Sequence, residues 1–419
     1  MEPKRVSWLD GMRGYAAIQV VFLHYFSAFL PVMGLVSAGT PHAKIEIPII
    51  RSPLFFIING YSAIWLFFLL SGVVLTGSFS ATPLAIISST ARRIVRLGLP
   101  MVCAVSLGAT LYNIWPHAHV KAAELTRSQM WLGSISPPLS FADILHQIFF
   151  EGMFTGYSGF SVFPASWLSA VGIHLHEDNQ SFNAPLWTLH LELVGSLLVI
   201  GLVVLKQLLA DWLHKTVAIV ILILLIPTSL WLFVAGHLLY PVVYPVAGPR
   251  PNRPAGIFLI VLGIYLCSAL IAPGMLKIAQ CTAIFYPPGL NAVFSIQFVL
   301  APCLIFIGVC LVPEAQSFLC RPLGHVLGKY SFSIYLVHFP VLFTITSASF
   351  YSLSSKIGYT PAVFLSIAIG FLVTFILTIA FQRWVDQPAI NLSRRIARRF
   401  TAKPESPKTE DAQDGIVKR

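Results

Sequence analysis

A succession of apolar runs, each close to the 20 or so residues that one helix needs to cross a bilayer, constrains this chain more than any other feature. The runs recur from about Trp8 to about Trp384 of 419 residues. Inside lipid every backbone N–H and C=O must be paired within the protein, and runs of this length meet that demand as helices. Composition agrees, since 56% of the residues are hydrophobic and only 10% charged, which leaves too little polar surface for a water-soluble domain. The expected fold is all-α, a polytopic transmembrane bundle of about ten helices. One membrane domain is expected over residues 1–400, followed by a disordered cytoplasmic tail over 401–419, where Lys, Glu, Asp and Pro dominate.

Nine spans can be read directly: about Trp8 to Leu30, Leu54 to Phe79, Leu97 to Trp115, Pro185 to Leu205, Val217 to Ala235, Gly256 to Ala272, Asn291 to Val312, Ser331 to Phe350 and Pro361 to Phe381. The first is read as a retained helix, with no cleavage site after it. Lys4 and Arg5 place its start in the cytoplasm, and Arg394, Arg395, Arg398 and Arg399 place the end of the last span there too. Both termini on one side require an even number. A tenth span is therefore expected near Ile144 to Phe160 or near Ile278 to Leu290. The net charge of +11 gathers at these helix ends, a topology pattern that argues against nucleic-acid binding. The six cysteines form no CxxC pair and read as packing residues.

Ionisable residues inside such spans are costly and are functional candidates by default. Arg13 and His24 are eleven positions apart, so at 100° per residue they return to within about 20° of one face, roughly 16 Å apart along the axis. Asp10 lies one turn before Arg13 and is spaced to hold its guanidinium. His24 is either a hydrogen-bonded core histidine or a base of near-neutral pKa. Arg92, Arg93 and Arg96 fill one turn at a helix mouth, as a topology anchor or as a grip for phosphates. Glu192 stands near the start of a helix, where the dipole favours its charge, as an acceptor contact, as a partner of Arg13 or His24, or as a carboxylate at a water-facing rim. Trp187 reads as an interfacial ring or a sugar-stacking platform. Tyr335 and His338 share a face with Ser331, as a polar network or as substrate contacts. His174, His176, Glu177 and Asp178 match no metal-ligand spacing, so no metal is expected. Neither a GxSxG elbow nor a Walker loop is present.

Four segments together resemble the acyltransferase-3 family of membrane O-acyltransferases. Trp8-Leu9-Asp10-Gly11-Met12-Arg13-Gly14-Tyr15-Ala16-Ala17, with His24 beyond it, is similar to the family's opening signature. Phe67-Phe68-Leu69-Leu70-Ser71-Gly72 is similar to its second-helix motif, followed by the Arg93 and Arg96 pair. Asn183-Ala184-Pro185-Leu186-Trp187-Thr188-Leu189-His190-Leu191-Glu192 is similar to its tryptophan-to-glutamate motif. Leu327 to Pro340 resembles its "G-x-x-S-Y-x-x-Y-L-x-H" block, with Tyr330-Ser331 in the reverse order.

The resemblance implies an enzyme that moves an acyl group, most often acetyl, from acetyl-coenzyme A (acyl-CoA) to a hydroxyl of a carbohydrate or related acceptor across a bacterial inner membrane. It implies His24 as general base with Arg13 as its electrostatic partner and Glu192 among the catalytic groups. Arg92, Arg93 and Arg96 would bind the donor as co-substrate, with no tightly held cofactor, and Trp187, Tyr335 and His338 would face the acceptor. The competing expectations are a secondary transporter, which would show related halves and broken helices, and an inactive membrane scaffold.

Overall fold

The computed structural model describes residues 6–34, 41–79, 82–128, 131–137, 140–244, 251–268, 274, 275, 277 and 296–401. Among them there is helix but no strand. Counting helices that run on through a π or 3₁₀ turn once, and apart from Phe141–His146 with its π turn Gln147–Thr155, ten of 13 residues or more follow in order among the described residues: α1 (Ser7–Phe29), α2 (Gly60–Ser78), α3 (Pro83–Ile114), α4 (Ala184–Leu208), α5 (Asp211–Leu225), α6 (Trp231–Val243), α7 (Arg253–Leu266), α8 (Ile296–Leu311), α9 (Pro322–Ile357) and α10 (Tyr359–Arg399). Five of these, α2, α3, α4, α9 and α10, are long and apolar enough to cross a membrane. A sixth joins them if α8 and the helix Pro313–Leu319, bent by 106° from it, form one span.

The expected span Val217 to Ala235 is not one helix. The chain reverses between α5 and α6 at Pro227-Thr228-Ser229, where Thr228 N–H donates to Leu225 O and Thr228 Oγ1 accepts from Leu230 N–H. Proline cannot donate to a helix ladder and the hydroxyl supplies a local acceptor, so an apolar stretch that reads as continuous folds as a hairpin. Among the described residues an additional helix therefore lies here. The first site expected for it holds only a short helix, Phe141–His146, prolonged by a π turn, Gln147–Thr155, and packed against α3 and α4. Ile278 to Leu290, the second, lies outside the described residues, as do Lys4, Arg5 and the tail beyond residue 401.

Local sequence sets the helix starts. Asn59 caps α2, its Oδ1 accepting from Ser62 N–H at 3.0 Å while its Nδ2 donates to Cys267 O at 2.7 Å. Thr82 caps α3 ahead of Pro83, and Asn252 caps α7 ahead of Pro254. Gly358, at φ +81°, makes the corner between α9 and α10 that a residue with Cβ would strain.

The most extensive helix pairing is α1 against α9. Lipid offers no hydrophobic reward for helix association, so contact depends on close backbone approach through small residues. The glycines of the first-helix signature provide it. A Cβ on Gly14 would stand 2.4 Å from Gly328 N, and one on Gly328 would stand 2.5 Å from Asp10 O. Both obstacles are backbone and cannot swing aside. Gly14→Leu is therefore expected to separate α1 from α9 and to destabilise the protein by about 1–3 kcal/mol or more. A lowered melting temperature in detergent would register it; an unchanged one would contradict the pairing.

Candidate active site

The helix starts and the α1–α9 contact bring the ionisable residues to two adjoining places. The first is a cavity of about 160 Å³ near the arginine-bearing end of the bundle, enclosed by α1, α2, α3, α4 and α9. Ile64, Phe67, Phe68, Leu97, Leu189 and Phe332 give it apolar walls, while Arg13, Arg93, Arg96 and Glu192 bring three guanidiniums and one carboxylate to its lining. The lining itself carries three guanidiniums against one carboxylate, and the carboxylates of Asp386 and Asp10 stand behind Arg96 and Arg13, outside the lining.

Each of these arginines is held from behind. Arg93 pairs with Glu192, and its Nε–H donates to Ser196 Oγ at 2.8 Å. Ser71 Oγ–H donates to the same Glu192 Oε1 at 2.5 Å. Arg96 pairs with Asp386, which a π turn in α10, Gln382–Asp386, presents to α3, and its guanidinium lies 4.9 Å from the centre of the Phe332 ring. Arg13 stands 3.8 Å from Asp10, one turn away on α1. Fixed guanidiniums lose less freedom on gripping an anion than free ones do, which is what a phosphate site requires.

The second place lies further along α1. His24 Nδ1 is 2.8 Å from His338 Nε2 on α9, with the rings nearly parallel and 5.1 Å between centroids. His338 Nδ1 is 3.0 Å from Ile334 O, and a carbonyl can only accept, so that nitrogen carries a proton. A neutral His338 then presents an acceptor at Nε2, and His24 Nδ1–H must donate to it. This assignment leaves the lone pair of His24 on Nε2. Trp131 and Phe339 wall the pair, at 5.9 and 5.4 Å from the His24 ring. Tyr335 joins the two places, since its ring lines the cavity and lies 6.0 Å from that of His338. Its hydroxyl donates to Pro185 O at 2.7 Å and lies 2.8 Å from Thr188 Oγ1.

Arg13, Arg93, Arg96, Glu192 and Tyr335 thus meet at one cavity. His24 and His338 meet one another beside it. Arg13 is not the partner of His24: about three turns of helix separate them, and the histidine's polar neighbour is His338. Glu192 pairs with Arg93. His338 bonds His24 and the backbone, which ties up both of its ring nitrogens. Trp187 is 7% exposed and its ring is stacked by Phe160 at 4.4 Å, so no open platform remains. Arg92 is exposed and lies outside the cavity lining.

Sequence reasoning gave no role to Ser71, Ser196, Asp386 or Trp131. Asp386 had a legible signal, the first acid after the apolar run of α10. Trp131 had none, because it sits in a loop outside every motif.

A family model described as an acyltransferase domain matches residues 6–382, nearly the whole chain. No curated protein and no solved structure matches it.

Proposed function

The chain belongs to the acyltransferase-3 family, as a membrane acyltransferase of groups other than aminoacyl, and from that premise we propose that it moves an acyl group, most often acetyl, from acyl-coenzyme A to a carbohydrate or related hydroxyl acceptor. The family match over residues 6–382 is the observation that carries the reading. In this reading the arginine end faces the cytoplasm, both termini lie there, and the bilayer is a bacterial inner membrane.

Arg13, Arg93 and Arg96 hold the anionic part of the donor at the cavity mouth, while the pantetheine arm follows the apolar wall past Tyr335 toward the histidine pair. The acceptor approaches His24 from the opposite side. Its hydroxyl oxygen attacks the thioester carbonyl as its proton passes to His24 Nε2; the new C–O bond forms, the C–S bond breaks, and the proton then goes to the departing thiolate sulfur. His338 holds His24 in the tautomer whose Nε2 is free to accept, as the orienting member of a catalytic triad does. Walls of Trp131 and Phe339 exclude water that would hydrolyse the thioester instead.

Membranes carrying the protein, supplied with labelled acetyl-coenzyme A, are expected to consume the thioester and to label an acceptor. Mass spectrometry of cell-envelope glycans and secreted metabolites would locate the acceptor as a lost acetyl increment in cells without the protein. No consumption above control membranes, with the protein present and folded, would overturn the reading.

A further inference from the structure

A cluster outside the donor cavity points to a second ligand. We propose that His146, Glu151 and His176 bind a divalent transition-metal ion of the zinc class, which staples the loop ahead of α4 to the π-turn helix. The three side chains each offer a ligand atom, all within 4.8 Å of one another. Glu151 Oε2 lies 2.9 Å from His176 Nδ1 and 3.6 Å from His146 Nδ1. Tetrahedral zinc with bonds of about 2.0–2.1 Å separates its ligand atoms by about 3.3 Å, between those two values. Two imidazoles and one carboxylate form a ligand set that suits zinc and leaves one position open.

The surroundings argue for an ion rather than an accidental cluster. Glu151 is fully buried, its Oε1 accepts from the backbone N–H of His176 at 2.5 Å and lies 3.0 Å from His176 Nδ1, and its Oε2 lies between the two imidazoles, 2.9 Å from the same nitrogen. His146 Nδ1 is buried without a hydrogen-bond partner, although the ring as a whole is a quarter exposed. The two rings stand 78° apart at 5.5 Å, converging on a point rather than stacking. Beyond His176, Asp143 Oδ1 lies 3.7 Å from Nε2, and Ser140 bonds the Asp143 carboxylate. A carboxylate behind the far nitrogen of a histidine is the usual outer support of a metal ligand, and Asp143 stands at that place, beyond hydrogen-bond reach at 3.7 Å.

The π turn explains why residue spacing conceals the site. Five positions apart on a regular α-helix, His146 and Glu151 would point about 140° from one another. The i→i+5 bonding of a π turn returns them to one side. His174, Glu177 and Asp178, which stand nearest His176 in sequence, contribute no ligand atom to the group.

The loop so stapled sits beside the site. Ser158 N–H donates to His176 O at 2.8 Å, Ser181 Oγ–H donates to Tyr157 Oη at 2.9 Å, and Phe160 of the same segment stacks on Trp187. An ion here would hold the Phe160–Trp187 contact at the head of α4 without touching the donor cavity.

The test is zinc content of the full-length protein purified in detergent, by elemental mass spectrometry after dialysis against metal-free buffer. About one zinc per chain is expected for the wild type and for His174→Ala, falling at least tenfold in His176→Ala and Glu151→Gln. Added Zn²⁺ should raise the melting temperature of metal-stripped wild type, and leave that of His146→Asn unmoved. A second reading guards against misfolding, since His146→Asn has to elute as one species. Wild-type content below a tenth of one ion per chain with no thermal response to Zn²⁺, or equal content in all variants, overturns the proposal. Neither measurement depends on acyl transfer.

Discussion

His24→Ala is expected to slow acyl transfer by roughly 10²–10⁴-fold, the range over which a positioned general base contributes, with little change in donor affinity. The separation of the two places is the reason: the arginines of the cavity lining belong to other helices or to the start of α1, about three turns from His24. His338→Phe should act through His24, because it deletes the acceptor at 2.8 Å that fixes the His24 tautomer. The expected loss is smaller than that of His24→Ala. It should be partly restored in His338→Gln, whose amide oxygen can accept from His24 Nδ1–H. Rates are to be measured per mole of monodisperse protein. If His338 only filled space, His338→Phe would keep its rate per folded molecule and its pH profile. A full rate in His24→Ala would falsify the assignment of the base.

Much of the bundle was legible because lipid turns length and apolarity into structure. Where the sequence misled, short polar devices were responsible. Pro227 with Thr228 breaks a run that hydropathy averages into one span. The glycines of the first signature were legible as a motif, yet their purpose is visible only with Gly14 set against Gly328 across the α1–α9 contact.

The site divides in the same way. Arg13, Arg93, Arg96, Glu192 and Tyr335 were all singled out from sequence and all reach one cavity, because intramembrane polarity is too costly to retain idly. Their pairing was not legible. The choice of Arg93 for Glu192, of Asp386 for Arg96 and of His338 for His24 depends on which helices cross. No single-helix spacing encodes a crossing.

The Arg93–Glu192 pair carries the second large expectation. The two side chains are 18% and 15% exposed, so each is largely desolvated and depends on the other. Removing one partner from a buried pair costs about 3–5 kcal/mol, because the charge left behind is uncompensated. Residual solvent access places Glu192→Leu and Arg93→Met near the lower end, readable as lost melting temperature or lost monodisperse protein. Replacing both removes the desolvation cost together with the attraction, so Arg93→Met/Glu192→Leu should recover most of the stability that either single change loses. Donor affinity should not recover with it. If Arg93 grips the donor's phosphates, the double variant keeps the raised KM for acyl-coenzyme A of Arg93→Met; if the pair is only a brace between α3 and α4, KM returns along with stability. The same four proteins therefore separate a binding arginine from a structural one, and the separation does not require knowing the acceptor.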